Sequence, residues 1–128
     1  MVATLTVSTP AFFESLKKSN LLSGKQVAHL RAMAMQSERV VEPTAVAEAL
    51  VKKRLLTRWQ ATQLLAGKHA FFLGKYKLLE RIGTGGMGQV FKAEHTTIGH
   101  VVALKVVSKQ RLSQPGAIAR FSREIQAA

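Results

Sequence analysis

The apolar period of this chain changes once, and that change requires two kinds of folding unit. Up to about residue 67 hydrophobic residues recur at helical spacing; beyond Gly74 they alternate with polar ones, with glycines between the runs. A helical period does not suit a strand, nor strand alternation a helix. The chain is therefore read as α+β: a small all-α bundle of two helical hairpins, followed by an antiparallel three-strand meander and the start of another helix. Residues 1–8 are expected to be a disordered N-terminus, 9–67 a helical domain, 68–75 a junction and 76–128 the strand-rich segment.

Four helices are legible before the change. Thr9 is a candidate N-cap with Pro10 at the first helical position, opening a helix through Phe12, Phe13 and Leu16. Ser23 and Gln26 have the spacing of a capping box, with Leu22 placed to staple onto Val27, and that helix runs to about Met35. Pro43 or Thr44 opens a third helix through Val46, Ala49 and Leu50. Thr57 and Gln60 form a second capping box, and Gly67 is suited to ending the helix it opens. A shift of 34 residues lays Leu16, Leu21, Leu22, Gln26 and Leu30 on Leu50, Leu55, Leu56, Gln60 and Leu64, and Ser23 on Thr57. The helices thus read as one hairpin used twice. The period matches that of tetratricopeptide repeats, but their Trp, Gly and Tyr signature is missing. A DNA-reading helix-turn-helix is disfavoured because the stretch from Thr57 to Leu64 has one Arg and few base-reading groups. A protein-interaction or regulatory module is the expected role, with Trp59 as a core or interface residue. Phe71 and Phe72 argue against a free linker and are expected to pack the bundle, or the junction itself, onto the second segment.

Charge and composition narrow the function. The net charge is +12, from 19 Lys and Arg against 7 acids, and every acid is Glu. Such a charge attracts anions. The basic residues are scattered, however, so nucleic acid is not the favoured partner. Cysteine is absent, which excludes disulfides and thiolate metal sites. The four His residues have no metal-ligand spacing, so no metal site is expected. There is no stretch of membrane-span length and no secretory leader pattern, so a cytoplasmic location is expected.

The second segment carries the chemistry. A strand from Tyr76 to Ile82, with Tyr76, Leu78, Glu80 and Ile82 on one side, leads into Gly83-Thr84-Gly85-Gly86-Met87-Gly88. A second alternating run extends from Gln89 to His95, and a third from Val101 to Val107. Glycines in a tight turn tolerate positive φ and let backbone N–H groups come close to phosphate oxygens. A dinucleotide-binding turn would need a helix straight after the glycines, and a Walker loop would need Gly-Lys-Ser/Thr; neither is present.

Ile82-Gly83-Thr84-Gly85-Gly86-Met87-Gly88-Gln89-Val90, followed by Val102-Ala103-Leu104-Lys105, resembles the glycine-rich loop and third-strand lysine of protein kinases. Phe91-Lys92-Ala93 and Arg120-Phe121-Ser122-Arg123-Glu124 look like bacterial serine/threonine kinases of the eukaryotic type. The stretches Leu55 to Ala61 and Phe71 to Tyr76 look like the region preceding the kinase domain in planctomycete proteins. The resemblance implies ATP as the ligand. Backbone amides from Thr84 to Gly88 would cover its β- and γ-phosphates. Val90 and Ala103 would flank the adenine. Lys105 would pair with the α- and β-phosphates and with Glu124 from the next helix. Lys92 is given no role.

The family's catalytic Asp and magnesium-holding Asp have no counterpart, because the chain contains no Asp, and its only Asn is Asn20. The sequence stops inside the helix that carries Glu124. It is therefore read as the N-terminal part of a longer kinase that is inactive by itself, with magnesium expected only in the complete enzyme. The alternative is a helical interaction module joined to a non-catalytic kinase remnant.

Overall fold

In the computed structural model, residues 6–85 and 88–107 are described. The chain divides into two compact units, 1–73 and 74–128.

The first unit holds four helices: α1 (Thr9–Ser19), α2 (Gly24–Gln36), α3 (Pro43–Lys52) and α4 (Arg58–Leu65). Two of them start on reciprocal capping boxes. Ser23 Oγ accepts from the Gln26 N–H at 3.1 Å while Gln26 Oε1 accepts from the Ser23 N–H at 2.8 Å. Thr57 and Gln60 do the same at 3.1 and 2.9 Å. Each box gives partners to N–H groups that the first helical turn would leave open. Helix α1 differs from expectation, since its N-cap is Ser8, whose hydroxyl accepts from the Ala11 N–H. Thr9 is already helical and donates its hydroxyl to the Val41 carbonyl at 2.7 Å, a tertiary bond that removes it from capping. Val7, expected in a disordered terminus, donates its N–H to the Leu65 carbonyl at 3.0 Å. Helix α4 ends as the glycine implies: Gly67 adopts φ +85°, and the N–H groups of Gly67 and Lys68 bond back to Leu64 and Gln63.

Positions 34 apart do the same work in both hairpins. Asn20 and Arg54, in the turns after α1 and α3, both lie in the left-handed region, at φ 58° and 60°. Leu16 and Leu50, Leu22 and Leu56, and Val27 and Ala61 are all buried in one core. The pairs differ in bulk where α1 and α3 contribute: Phe12 and Phe13 stand where α3 has Val46 and Ala47. Phe71 completes this core. It is 1% exposed and lies edge-on to Trp59, with ring centroids 5.7 Å apart. Of the two junction phenylalanines only Phe71 does this, while Phe72 is exposed.

After the helices come a short strand β1 (Phe72–Leu73) and then the three strands expected, β2 (Tyr76–Gly85), β3 (Gly88–His95) and β4 (Val101–Val107). Strand β1 is two residues long and precedes a turn at Gly74 and Lys75, where Gly74 takes φ +57°. Strands β2, β3 and β4 form the antiparallel meander. The turn into β4 is tied by His95, whose Nδ1 accepts from the N–H groups of Thr97 and Ile98 at 3.2 Å each.

Strand β2 breaks the simple alternation read from its sequence. Register shifts fall between Leu78 and Glu80 and between Arg81 and Gly83, so Leu79 and Ile82 are extra residues. Each extra residue moves the rest of the strand to the other side of the sheet. Leu78 lies opposite Ala93, while Glu80 lies opposite Lys92, on the reverse face. Leu78, Phe91 and Ala93 share one face and are buried. Among the described residues no helix is long and apolar enough to cross a membrane.

Candidate functional site

The second face of the meander carries four of the residues singled out for chemistry, Gly83, Val90, Ala103 and Lys105. Gly83 on β2 pairs with Val90 on β3, and Val90 pairs with Lys105 on β4. Directly opposed residues in an antiparallel sheet project to the same face. Gly83, Val90 and Lys105 therefore form one row across three strands. Residues two apart on a strand also share a face, which adds Ala103, opposite Lys92, to the same side. The bulge at Ile82 is what puts Gly83 in this row. Were Ile82 paired with Val90 instead of bulged, Gly83 would lie opposite Gln89, on the buried face.

The glycines have different local reasons. Neither Gly83 nor Gly88 has positive φ. A Cβ on Gly88 would overlap the carbonyl of Val106, so β4 passes too close for any side chain. A Cβ on Gly83 would meet no atom within 4 Å. Packing of this chain thus explains Gly88 and leaves the space over Gly83 open, the condition for backbone to approach a ligand closely.

The remaining predicted residues divide. Thr84 and Gln89 oppose each other on the buried-side face, so their side chains point away from Lys105 and only their backbones remain available near the hairpin. Ile82 sits at the bulge and is exposed. Gly85 ends β2 opposite Gly88. Lys105 is half-buried. Gly86, Met87 and Glu124 lie outside the described residues. Lys92, given no role from sequence, proves to share the face of Lys105. The signal was there, because it lies two residues beyond Val90. Its β2 partner Glu80 was hidden from the same rule by the bulge at Leu79. Further along this face Lys77 and Glu94 form an ion pair at 3.9 Å. No group of three or more His, Cys, Asp or Glu able to hold a metal is found among the described residues.

The arrangement offers a cation and open backbone on one face, next to two small aliphatic side chains. That is suited to an anionic ligand with a flat apolar part.

No protein-family model matches the chain. It is 46% identical over 54 residues to serine/threonine-protein kinase pkn3 of Myxococcus xanthus, covering 42% of this chain and 10% of that protein. It is 46% identical over 55 residues to serine/threonine-protein kinase PknD of Mycobacterium tuberculosis, covering 43% and 8%. The carbon catabolite-derepressing protein kinase of Saccharomyces cerevisiae is 38% identical over 64 residues, covering 50% and 10%. The matched stretch spans a tenth or less of each relative's length. Part of this chain is thus similar to bacterial serine/threonine-protein kinases and to a yeast protein kinase.

Proposed function

We propose that residues 76–128 form the ATP-binding part of a serine/threonine protein kinase small lobe, a segment that serves phosphoryl transfer to protein Ser/Thr when a large lobe completes it. The observation that carries this reading is the row Gly83–Val90–Lys105, which aligns an open glycine, an aliphatic platform and an ammonium group on one sheet face. The backbone of 84–88 would hold the β- and γ-phosphates. Val90 and Ala103 would lie against the adenine. Lys105 would neutralise the α- and β-phosphates and pair with Glu124. ATP supplies the transferable phosphoryl group. Magnesium belongs to the same reading, but its usual Asp ligands are not among the residues of this chain, which has no Asp. The chain by itself is therefore expected to bind nucleotide weakly and to give background kinase activity.

The test is a titration of Mg-ATP by calorimetry against the wild-type chain, Lys105→Ala and Lys92→Ala. A charge-assisted contact is worth about 1.5–3 kcal/mol, so Lys105→Ala is expected to weaken binding by roughly 10- to 100-fold. Lys92→Ala is expected to change it by less than about threefold, as an exposed cation is screened by solvent. Equal affinities for wild type and Lys105→Ala would sink the assignment. No binding by either would favour a helical interaction module joined to a non-catalytic kinase remnant.

A further inference from the structure

Helix α2 is poorly covered for a helix of a small bundle. Of its 13 residues only Val27 is fully buried. Its C-terminal half leaves Met33 and Met35 exposed at 55% and 79%, and Val40 on the connection to α3 is exposed at 88%. Two clefts open on this surface. One, of about 480 Å³, is lined by Pro10 and Phe13 of α1, Arg31 and Met35 of α2, and Arg39 and Val40 of the connection. The other, of about 320 Å³, is lined by Leu30 and Met33 of α2 and by Ala45, Val46, Ala49 and Lys53. Ala34 and Val41 line both, so the clefts are neighbours divided by two small side chains.

The walls are apolar and their charges have one sign. Arg31, Arg39 and Lys53 line the clefts and no acid does. Arg31 is ion-paired with Glu14 at 3.5 Å. Glu38 and Glu42, on the same connection, line neither cleft. Exposed methionines adapt to apolar partners of varied shape, and an apolar patch rimmed by charge marks a recognition surface.

We infer that these paired clefts dock an acidic amphipathic helix of a partner protein, with apolar side chains seated either side of Ala34 and Val41 and carboxylates facing Arg39 and Lys53. A second copy of the chain is a poor occupant, because each copy carries a net charge of +12. A lipid surface is flat and would leave concave clefts unfilled. This inference is independent of the nucleotide reading, because every residue it uses lies in the helical unit.

The test selects displayed random peptides of about 16 residues, some four helical turns, against the full-length chain and measures a synthetic consensus peptide by fluorescence polarisation. Enrichment of apolar residues at helical spacing together with two or more acids is expected. Val40→Asp, and separately the double reversal Arg39→Glu with Lys53→Glu, should each weaken the consensus peptide at least tenfold. These side chains are exposed, so circular dichroism should be unchanged, as should Mg-ATP titrations. The proposal is overturned if the selected peptides lack acids or if these variants leave their binding intact. It is equally overturned if the variants abolish a concentration-dependent dimer seen by sedimentation, or binding to phosphatidylserine vesicles, with no peptide selected.

Discussion

Gly83 and Gly88 look alike in sequence but play different parts. At Gly88 the carbonyl of Val106 occupies the place of a side chain. Gly88→Ala must therefore push β3 and β4 apart, an overpacking cost of about 1–3 kcal/mol, to be read by chemical denaturation. Gly83→Ala has open space and should leave stability unchanged while weakening Mg-ATP binding in titration. The same loss of stability in both variants would remove the distinction. A different kind of residue effect operates in the helical unit. Arg58 makes a bidentate bond to Glu48, at 3.2 and 3.1 Å, and this bond and its charge hold the Glu48 carboxyl below its usual range. A depressed carboxyl pKa stabilises the fold above the unfolded value, about 4.3, and that contribution disappears as pH falls through the folded value. Both side chains are solvent-exposed, so salt screens the pair. The stability difference between wild type and Glu48→Gln should accordingly exist at neutral pH, shrink below about pH 4 and fade in about 1 M salt. A difference that does not vary with pH would show the pair to be inert.

Among the elements, the caps were the most legible from sequence and the strands the least. Both capping boxes form as read, because a box needs only local residues at fixed spacing. They are not equal in context, since Gln60 is buried at 3% exposure and Gln26 is exposed. Thr57→Ala is therefore expected to cost about 1–2 kcal/mol, the upper part of the capping range, and more than Ser23→Ala, as measured by denaturant titration of each variant. Equal losses would mean that burial of the box adds nothing. At α1 the cap moved to Ser8 because Thr9 had a tertiary partner in Val41, 32 residues away, which no local pattern reveals. The bulges at Leu79 and Ile82 were hidden for a related reason. A bulge is defined by the partner strand, so period-2 counting along β2 alone put Leu78 and Glu80 on one face when they lie on two.

At the scale of the whole molecule, every member of the main core cluster lies between Phe12 and Phe71. The first unit therefore carries its own core, and a 1–73 fragment should keep its helical circular dichroism and unfold cooperatively on heating. A fragment that loses both would show that the helices depend on residues 74–128. Sequence alone determined the two classes of element, the two capping-box helix starts, the hairpin repeated at 34 residues and the glycine-to-lysine motif, because each is written in short-range spacing or residue type. Tertiary structure alone decided which junction phenylalanine enters the core and which face each β2 residue occupies. It also decided that Gly83, Val90 and Lys105 stand in one row. Those outcomes depend on cross-strand register and packing between segments distant in the chain, and a one-residue bulge is enough to reverse them.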